Sequence, residues 1–153
     1  MVVKGPETDT QWKMTGFYGN QDTAKRKVSW ELLNHLKFFS QAPWFCVGDF
    51  NEITAQFEKE GAALRRERQM EVFKETLEKC NLNDLGYMGS RCMWNNKRHD
   101  KGFTKEHLDR AVANRSWCEL FPSVSVYVLA AHSSDHKPLL VNLLQGTGER
   151  HAL

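Results

Sequence analysis

The sequence predicts a mixed domain, α/β or α+β in class, and three observations carry that expectation. A strand-like apolar run, an amphipathic helical stretch and a second apolar run follow one another through residues 11–47 with short connections, the order of a strand–helix–strand unit. A second stretch of helical periodicity covers residues 67–80. Two further β-type runs, "SVSVYVLA" and "PLLVNLL", lie near the C-terminal end. At 153 residues the chain makes one ordinary domain, long enough to bury a real core.

Taken in order, "QWKMTGFYG" (11–19) reads as a strand ended by Gly19. Residues 23–40 carry Val28, Leu32, Leu36 and Phe39 at helical spacing, with Asp22 or Thr23 as the cap. Pro43 stops that helix, and "WFCV" begins a second strand. "ITAQFEKEGAALRRER" is polar and reads as a long surface loop. It feeds a helix from Glu67 to Cys80 with Met70, Phe73, Leu77 and Cys80 on one face, and Asn81 is its left-handed stop. Strand-like pieces follow at 91–94 and 104–112, separated by the charged loop "NNKRHDKG". "NRSWCELF" is a short helix closed by Pro122, and Pro138 opens the last strand, where a missing donor is tolerated. Residues 1–11 read as a polar leading segment, 12–145 as the domain, and 146–153 as a frayed tail.

Composition excludes several classes. Apolar content is ordinary, net charge is only +2, and five Trp and nine Phe rule out a disordered chain. So small an excess of charge does not by itself identify a nucleic-acid partner. Cys46, Cys80, Cys92 and Cys118 form no CxxC pair, so reduced intracellular thiols are expected rather than a zinc site or disulfide framework. No stretch is apolar enough for a membrane span, and "MVVKGPETDTQ" lacks the apolar centre of a signal peptide. An intracellular protein is expected.

Two short stretches carry chemistry. In "GDFNE" (48–52) an apolar strand stops at glycine and then offers Asp49 and Asn51, with Glu52 just behind. Side chains at i and i+2 of extended backbone share a face, which turns Phe50 towards the core. Carboxylate plus carboxamide at a strand end can hold a hydrated Mg²⁺ or orient a water. The same residues are equally the material of a tight turn, and Gly48 admits either a substrate or another backbone. In "SSDHKPLL" (133–140) an acid again precedes an apolar strand, here followed by His136. Histidine exchanges protons near neutral pH, and a carboxylate on its other ring nitrogen would fix its tautomer; a polar loop with a cap-like Ser-Asp is the plainer reading of Asp135 and His136. Asp109 in "EHLDRAVAN" is a candidate for that carboxylate, or else a strand residue paired with Arg110.

The ordered set "TGFYGN" (15–20), "GDFNE" (48–52), "LDRAVAN" (108–114) and "SSDHKPL" (133–139) resembles the endonuclease domain of plant LINE-type (non-LTR) retrotransposons. That domain belongs to the endonuclease/exonuclease/phosphatase superfamily, which includes DNase I. "ERQMEVFKETLEKCNLNDLGYMG" and "NRSWCELFP" also look like that family's spacers, and the likeness runs from Trp12 to Leu144. It implies a DNase I-like two-sheet β-sandwich flanked by helices. It implies a Mg²⁺- or Mn²⁺-dependent DNA endonuclease acting in the nucleus, within an element whose parent can carry a reverse-transcriptase domain. Position by position, it makes Tyr18 a phosphate-facing phenol, Asp49 the acid that prepares water, and Asn51 the amide on a phosphate oxygen. It pairs Asp109 with a catalytic His136 and gives Asp135, beside Asp49, to the metal. Lys97, Arg98 and Lys101 stand where such enzymes insert a hairpin into the DNA groove; a solvated turn is the plainer alternative.

Departures set the limits of that likeness. The family's domain opens with a catalytic asparagine on its first strand and a metal-binding glutamate on a later one. Nothing before Trp12 supplies them, since Glu7 sits in "GPETD". The chain is therefore expected to be the larger C-terminal part of such a domain, lacking its N-terminal strands. Met93 replaces a usual threonine and His107 a common arginine, drift that suits a decaying element. A non-catalytic remnant with weak nucleic-acid affinity is then the main alternative. A phosphomonoesterase or phosphoinositide phosphatase of the same superfamily is a further one.

Overall fold

The computed structural model describes residues 2–4, 10–39, 41–61, 63–88, 94–95, 104–131 and 135–143. Its main sheet starts with β1 (Val2–Lys4), antiparallel to β2 (Gln11–Tyr18). Three residues ending in lysine are too short to show as a strand, which is why the leading segment reads as merely polar. A 3-10 turn over Thr23–Lys25 follows, with the Asp22 side chain accepting from the Ala24 N–H, and it opens into α1 (Arg26–Phe38). β3 (Trp44–Asp49) then runs parallel to β2, with α1 as the crossover such a pair requires.

Next come a 3-10 turn at Gln56–Glu58, β4 (Lys59–Gly61) and α2 (Glu67–Lys79). Asn81 ends α2 in the left-handed conformation, φ 55°, as expected from its sequence position. β5 (Asn83–Asp84), β6 (Trp94–Asn95), β7 (Thr104–Glu106), β8 (Asp109–Ala113), α3 (Arg115–Leu120), β9 (Ser125–Val128) and β10 (Leu139–Asn142) follow among the described residues. The five-stranded sheet has the order β1-β2-β3-β8-β5; β9 and β10 form a two-stranded sheet, and β4-β7-β6 a three-stranded one.

Both faces of the main sheet are covered, and this explains the uninterrupted apolar run of β3. Trp44 and Cys46 face α1 and α2, packing with Phe17, Trp30, Leu33, Phe50, Phe73 and Val112. Phe45 and Val47 face the other way, towards Trp12, Ala111, Trp117, Val126, Leu139 and Val141. β9–β10 and α3 thus close the second layer of a sandwich. Stacked rings reinforce both faces: Trp30 of α1 stacks on Phe73 of α2 at 4.7 Å, and Phe45 of β3 on Trp117 of α3 at 4.7 Å. Each such fully buried ring contributes about 2–3 kcal/mol by leaving water. Cys46, Cys80 and Cys118 are free, and burial pushes the thiols of Cys46 and Cys80 up to about 12 and 11, so neither is a nucleophile near neutral pH.

Three sequence expectations are corrected. The inward face of α1 is Trp30 and Leu33 with Ser29 and Arg26, whereas Val28 and Phe39 are 65% and 79% exposed. Of the predicted stripe only Leu36 packs against this core among the described residues; apolar residues surround the helix, so spacing alone did not select the covered face. The 53–68 stretch is not a plain surface loop: Ile53 and Glu58 are buried, and β4 lies within it. Finally, 104–112 is not one strand. It breaks at His107–Leu108, and β7 and β8 belong to different sheets. The N–H of His107 goes to the Glu58 carbonyl, while the Leu108 carbonyl accepts from Phe50. Among the described residues no helix is long and apolar enough to cross a membrane.

Candidate active site

Strand register assembles the site. Tyr18, the last residue of β2, pairs with Asp49, the last of β3, and Asp49 pairs in turn with Asp109, the first of β8. The three residues therefore form one row at one end of the main sheet. His136 arrives from the second layer, three residues before β10, and closes the row from the opposite sheet. Its Nδ1 lies 2.8 Å from Asp109 Oδ2, a hydrogen bond, and its Nε2 lies 3.9 Å from Asp49 Oδ2. The imidazole is 39% exposed while the Asp49 carboxylate is almost wholly enclosed.

"GDFN" turns out to be strand end and turn together. Gly48 has φ 152°, and a Cβ there would sit 1.9 Å from the Phe17 carbonyl oxygen, so the close neighbour of this glycine is the backbone of β2. Asp49 Oδ1 accepts the Asn51 N–H at 2.7 Å, and Asn51 itself adopts φ 54°. Extended alternation thus stops at Asp49, and a side-chain-capped turn brings Asn51 under the site. Phe50 points into the core as expected. The Asn51 carboxamide donates from Nδ2 to the Gly19 carbonyl at 2.7 Å, tying the end of β2 to the turn. Tyr18 is 64% exposed, its hydroxyl accepting from Gln21 Nε2.

Electrostatics single out Asp49. Burial raises its pKa above the ordinary carboxylate value and the nearby Asp109 charge adds to this, while the Asn51 N–H, His136 and Arg26 oppose it. Its Oδ2 is buried and has no hydrogen-bond partner among the described residues. An orphaned carboxylate oxygen of this kind awaits a proton, a water or a cation. One ligand atom each from Asp49, Asp109 and His136 lie within 4.8 Å of one another, so the donor set fits a small divalent ion. Asp135 is exposed on the shoulder of the site, next to His136. Lys97, Arg98 and Lys101 lie outside the described residues.

Two buried ion-pair groups near the site were not foreseen from the sequence. Arg26 and Glu52 form a buried ion pair at 2.6 Å immediately behind the turn. Arg110 is wholly buried between Glu58 at 2.7 Å and Asp84, with its Nη2 also on the His107 carbonyl at 3.2 Å. Asp109 therefore does not pair with Arg110; the two point to different partners. A charged residue inside an otherwise apolar strand, as Arg110 is in β8, was the available signal.

No family model matches the sequence, and no curated protein does either. Among solved structures, the chain is similar to the "Endonuclease domain of TRAS1, a telomere-specific non-LTR retrotransposon", with a TM-score of 0.68 and 12% identity. The match covers 95% of this chain and 63% of that one, so the chain spans somewhat less than two thirds of its neighbour's length. At that identity the likeness is one of fold, and it agrees with the DNase I-like architecture expected from the sequence.

Proposed function

We propose that this protein is a nuclease-type phosphodiester hydrolase of retrotransposon origin, acting on DNA with Mg²⁺ or Mn²⁺. The observation that carries the reading is the Asp49–His136–Asp109 arrangement at one end of a sandwich shared with an endonuclease domain. Asp109, bonded to Nδ1, fixes the imidazole and directs Nε2 towards the open side, where a protonated ring would donate to a phosphate oxygen. Asp49 Oδ2, buried and without a hydrogen-bond partner among the described residues, is the base that would take the proton of the attacking water. Tyr18 would meet the same phosphate, a reading supported by its register with Asp49 and its exposure. Asn51 holds the turn through the Gly19 carbonyl, with its second amide hydrogen remaining for substrate oxygen. The metal, when bound, supplies positive charge that offsets the charge building on the phosphate. Asp49 and Asp109 would hold it, with Asp135 at the rim.

Nicking of supercoiled plasmid in Mg²⁺ tests the reading. Asp49→Ala or His136→Ala is expected to slow nicking roughly 100- to 1000-fold. Equal cutting by wild type in EDTA, or full activity in both variants, sinks the mechanism. Wild type that retards DNA without cutting it identifies a binding remnant. Phosphate release from phosphomonoesters with no nicking identifies the phosphatase alternative.

A further inference from the structure

Arg26 is the first residue of α1 and is 8% exposed. An arginine almost wholly removed from water must spend its donors inside the protein. It spends them on two separate stretches. Nε donates to the Asn20 carbonyl at 3.1 Å and Nη2 to the Gln21 carbonyl at 3.1 Å, both in the loop that follows Tyr18. Nη1 donates to Glu52 Oε2 at 2.6 Å, directly after the Asp49–Asn51 turn. Glu52 is 1% exposed; its Oε1 accepts the Ile53 N–H at 2.9 Å and faces Arg65 Nε at 3.2 Å. The guanidinium is thus a planar fork joining the loop at the end of β2 to the turn at the end of β3.

These are the two segments that hold Tyr18 and Asp49. They are also joined by the β2–β3 pairing, by the Phe17 and Phe50 rings at 4.9 Å, and by two short local bonds: the Gly19 N–H to the Asp49 carbonyl at 2.7 Å, and Asn51 Nδ2 to the Gly19 carbonyl at 2.7 Å. Each segment also has its own helix contact: the Asn20 N–H donates to Ser29 Oγ of α1 at 2.9 Å, and the Phe50 ring lies 5.6 Å from that of Phe73 on α2. Arg26, on a helix fixed by Trp30 and Leu33 in the core, reaches both segments with one guanidinium. We propose that Arg26, paired with Glu52, is a positioning residue that clamps the loop after Tyr18 against the Asp49–Asn51 turn, so that phenol and carboxylate face one substrate phosphate. The catalytic part of this inference rests on the nuclease reading above. The positive charge of Arg26 also reaches Asp49 and opposes the upward pull of burial on its pKa.

The experiment uses the full chain with two substitutions. Arg26→Lys keeps the charge beside Glu52 but cannot reach both carbonyls and the carboxylate together; Arg26→Met removes charge and donors. If the clamp positions the site, kcat for plasmid nicking falls about 10-fold in the lysine variant and about 100-fold in the methionine variant, with KM within about threefold. A residue serving only as a charge would be rescued by lysine. Amide hydrogen exchange by NMR provides a readout independent of catalysis. The N–H groups of Gly19, Asn51 and Ile53 are expected to exchange about 10-fold faster in Arg26→Lys, while the Leu82 N–H at the end of α2 stays unchanged. Unchanged exchange at those three amides, or faster exchange throughout the fold, overturns the clamp. Should Arg26→Met not fold, the lysine variant alone decides. Wild type that fails to cut while Arg26→Lys loosens only those amides leaves the clamp standing and removes the nuclease reading.

Discussion

Replacing Asp49 by asparagine is expected to abolish nicking and at the same time make the protein more stable. The side chain keeps its size, and its Oδ1 still accepts the Asn51 N–H that caps the turn. What changes is the other oxygen. In the native protein it is a buried anionic acceptor without a hydrogen-bond partner among the described residues, with Asp109 presenting a second carboxylate within 4.8 Å. A buried unsatisfied acceptor costs about 1–3 kcal/mol. Two like charges at such a separation repel by about 1 kcal/mol in a water-like medium and about 3 kcal/mol at the effective dielectric of a protein surface. The Arg26 charge offsets part of this, so a net gain of about 1–2 kcal/mol is expected, or roughly 3–6 °C in Tm for a domain of this size. The amide hydrogens of asparagine can moreover donate towards Asp109.

The pH dependence gives the sharper test. Asp49 has a folded-state pKa raised above that of the unfolded chain. The native state therefore binds this proton more tightly, and the destabilisation is fully present above the folded pKa and gone below the unfolded value near ~3.9. Urea unfolding in EDTA should show the advantage of Asp49→Asn at pH 8 and its decline as pH approaches 4. Mg²⁺ should narrow the gap by binding the native wild type selectively. A variant less stable than wild type at pH 8, or an advantage that does not vary with pH, refutes the reasoning.

Two further perturbations probe the frame around the site. Burial, reinforced by the adjacent Arg110, pushes His107 down to about 4, so this imidazole stays neutral in the fold while the unfolded chain takes up a proton near 6.5. Stability should be intact above about pH 6.5 and fall by about 3 kcal/mol as pH drops towards 4; urea midpoints for wild type and His107→Gln should diverge across that window, and parallel curves would contradict it. Gly48→Ala forces a Cβ to 1.9 Å from the Phe17 carbonyl oxygen at a backbone conformation reserved for glycine. A loss of more than about 3 kcal/mol is expected, and an unchanged urea midpoint would show that the β2–β3 junction can open without cost.

Much of the frame is legible along the chain because it depends on neighbours in sequence. Gln11–Tyr18, Trp44–Asp49 and Glu67–Lys79 follow local apolar patterns, Asp22 and Asn114 cap through their own side chains, and Asn81 stops α2 through its own backbone. Asp49, Asp109 and His136 can be named from the chain alone, since strand ends carrying acid or imidazole are local patterns. Tertiary structure decided what those groups meet. The Tyr18–Asp49–Asp109 row depends on cross-strand register. The hydrogen bond between His136 and Asp109 depends on one sheet closing over another. The outward turn of Val28 and Phe39 and the burial of Arg26, Glu52 and Arg110 follow from which surfaces pack together. Periodicity records that a segment has two faces; which face is covered, and which charges are trapped behind it, is set by residues far away in the chain.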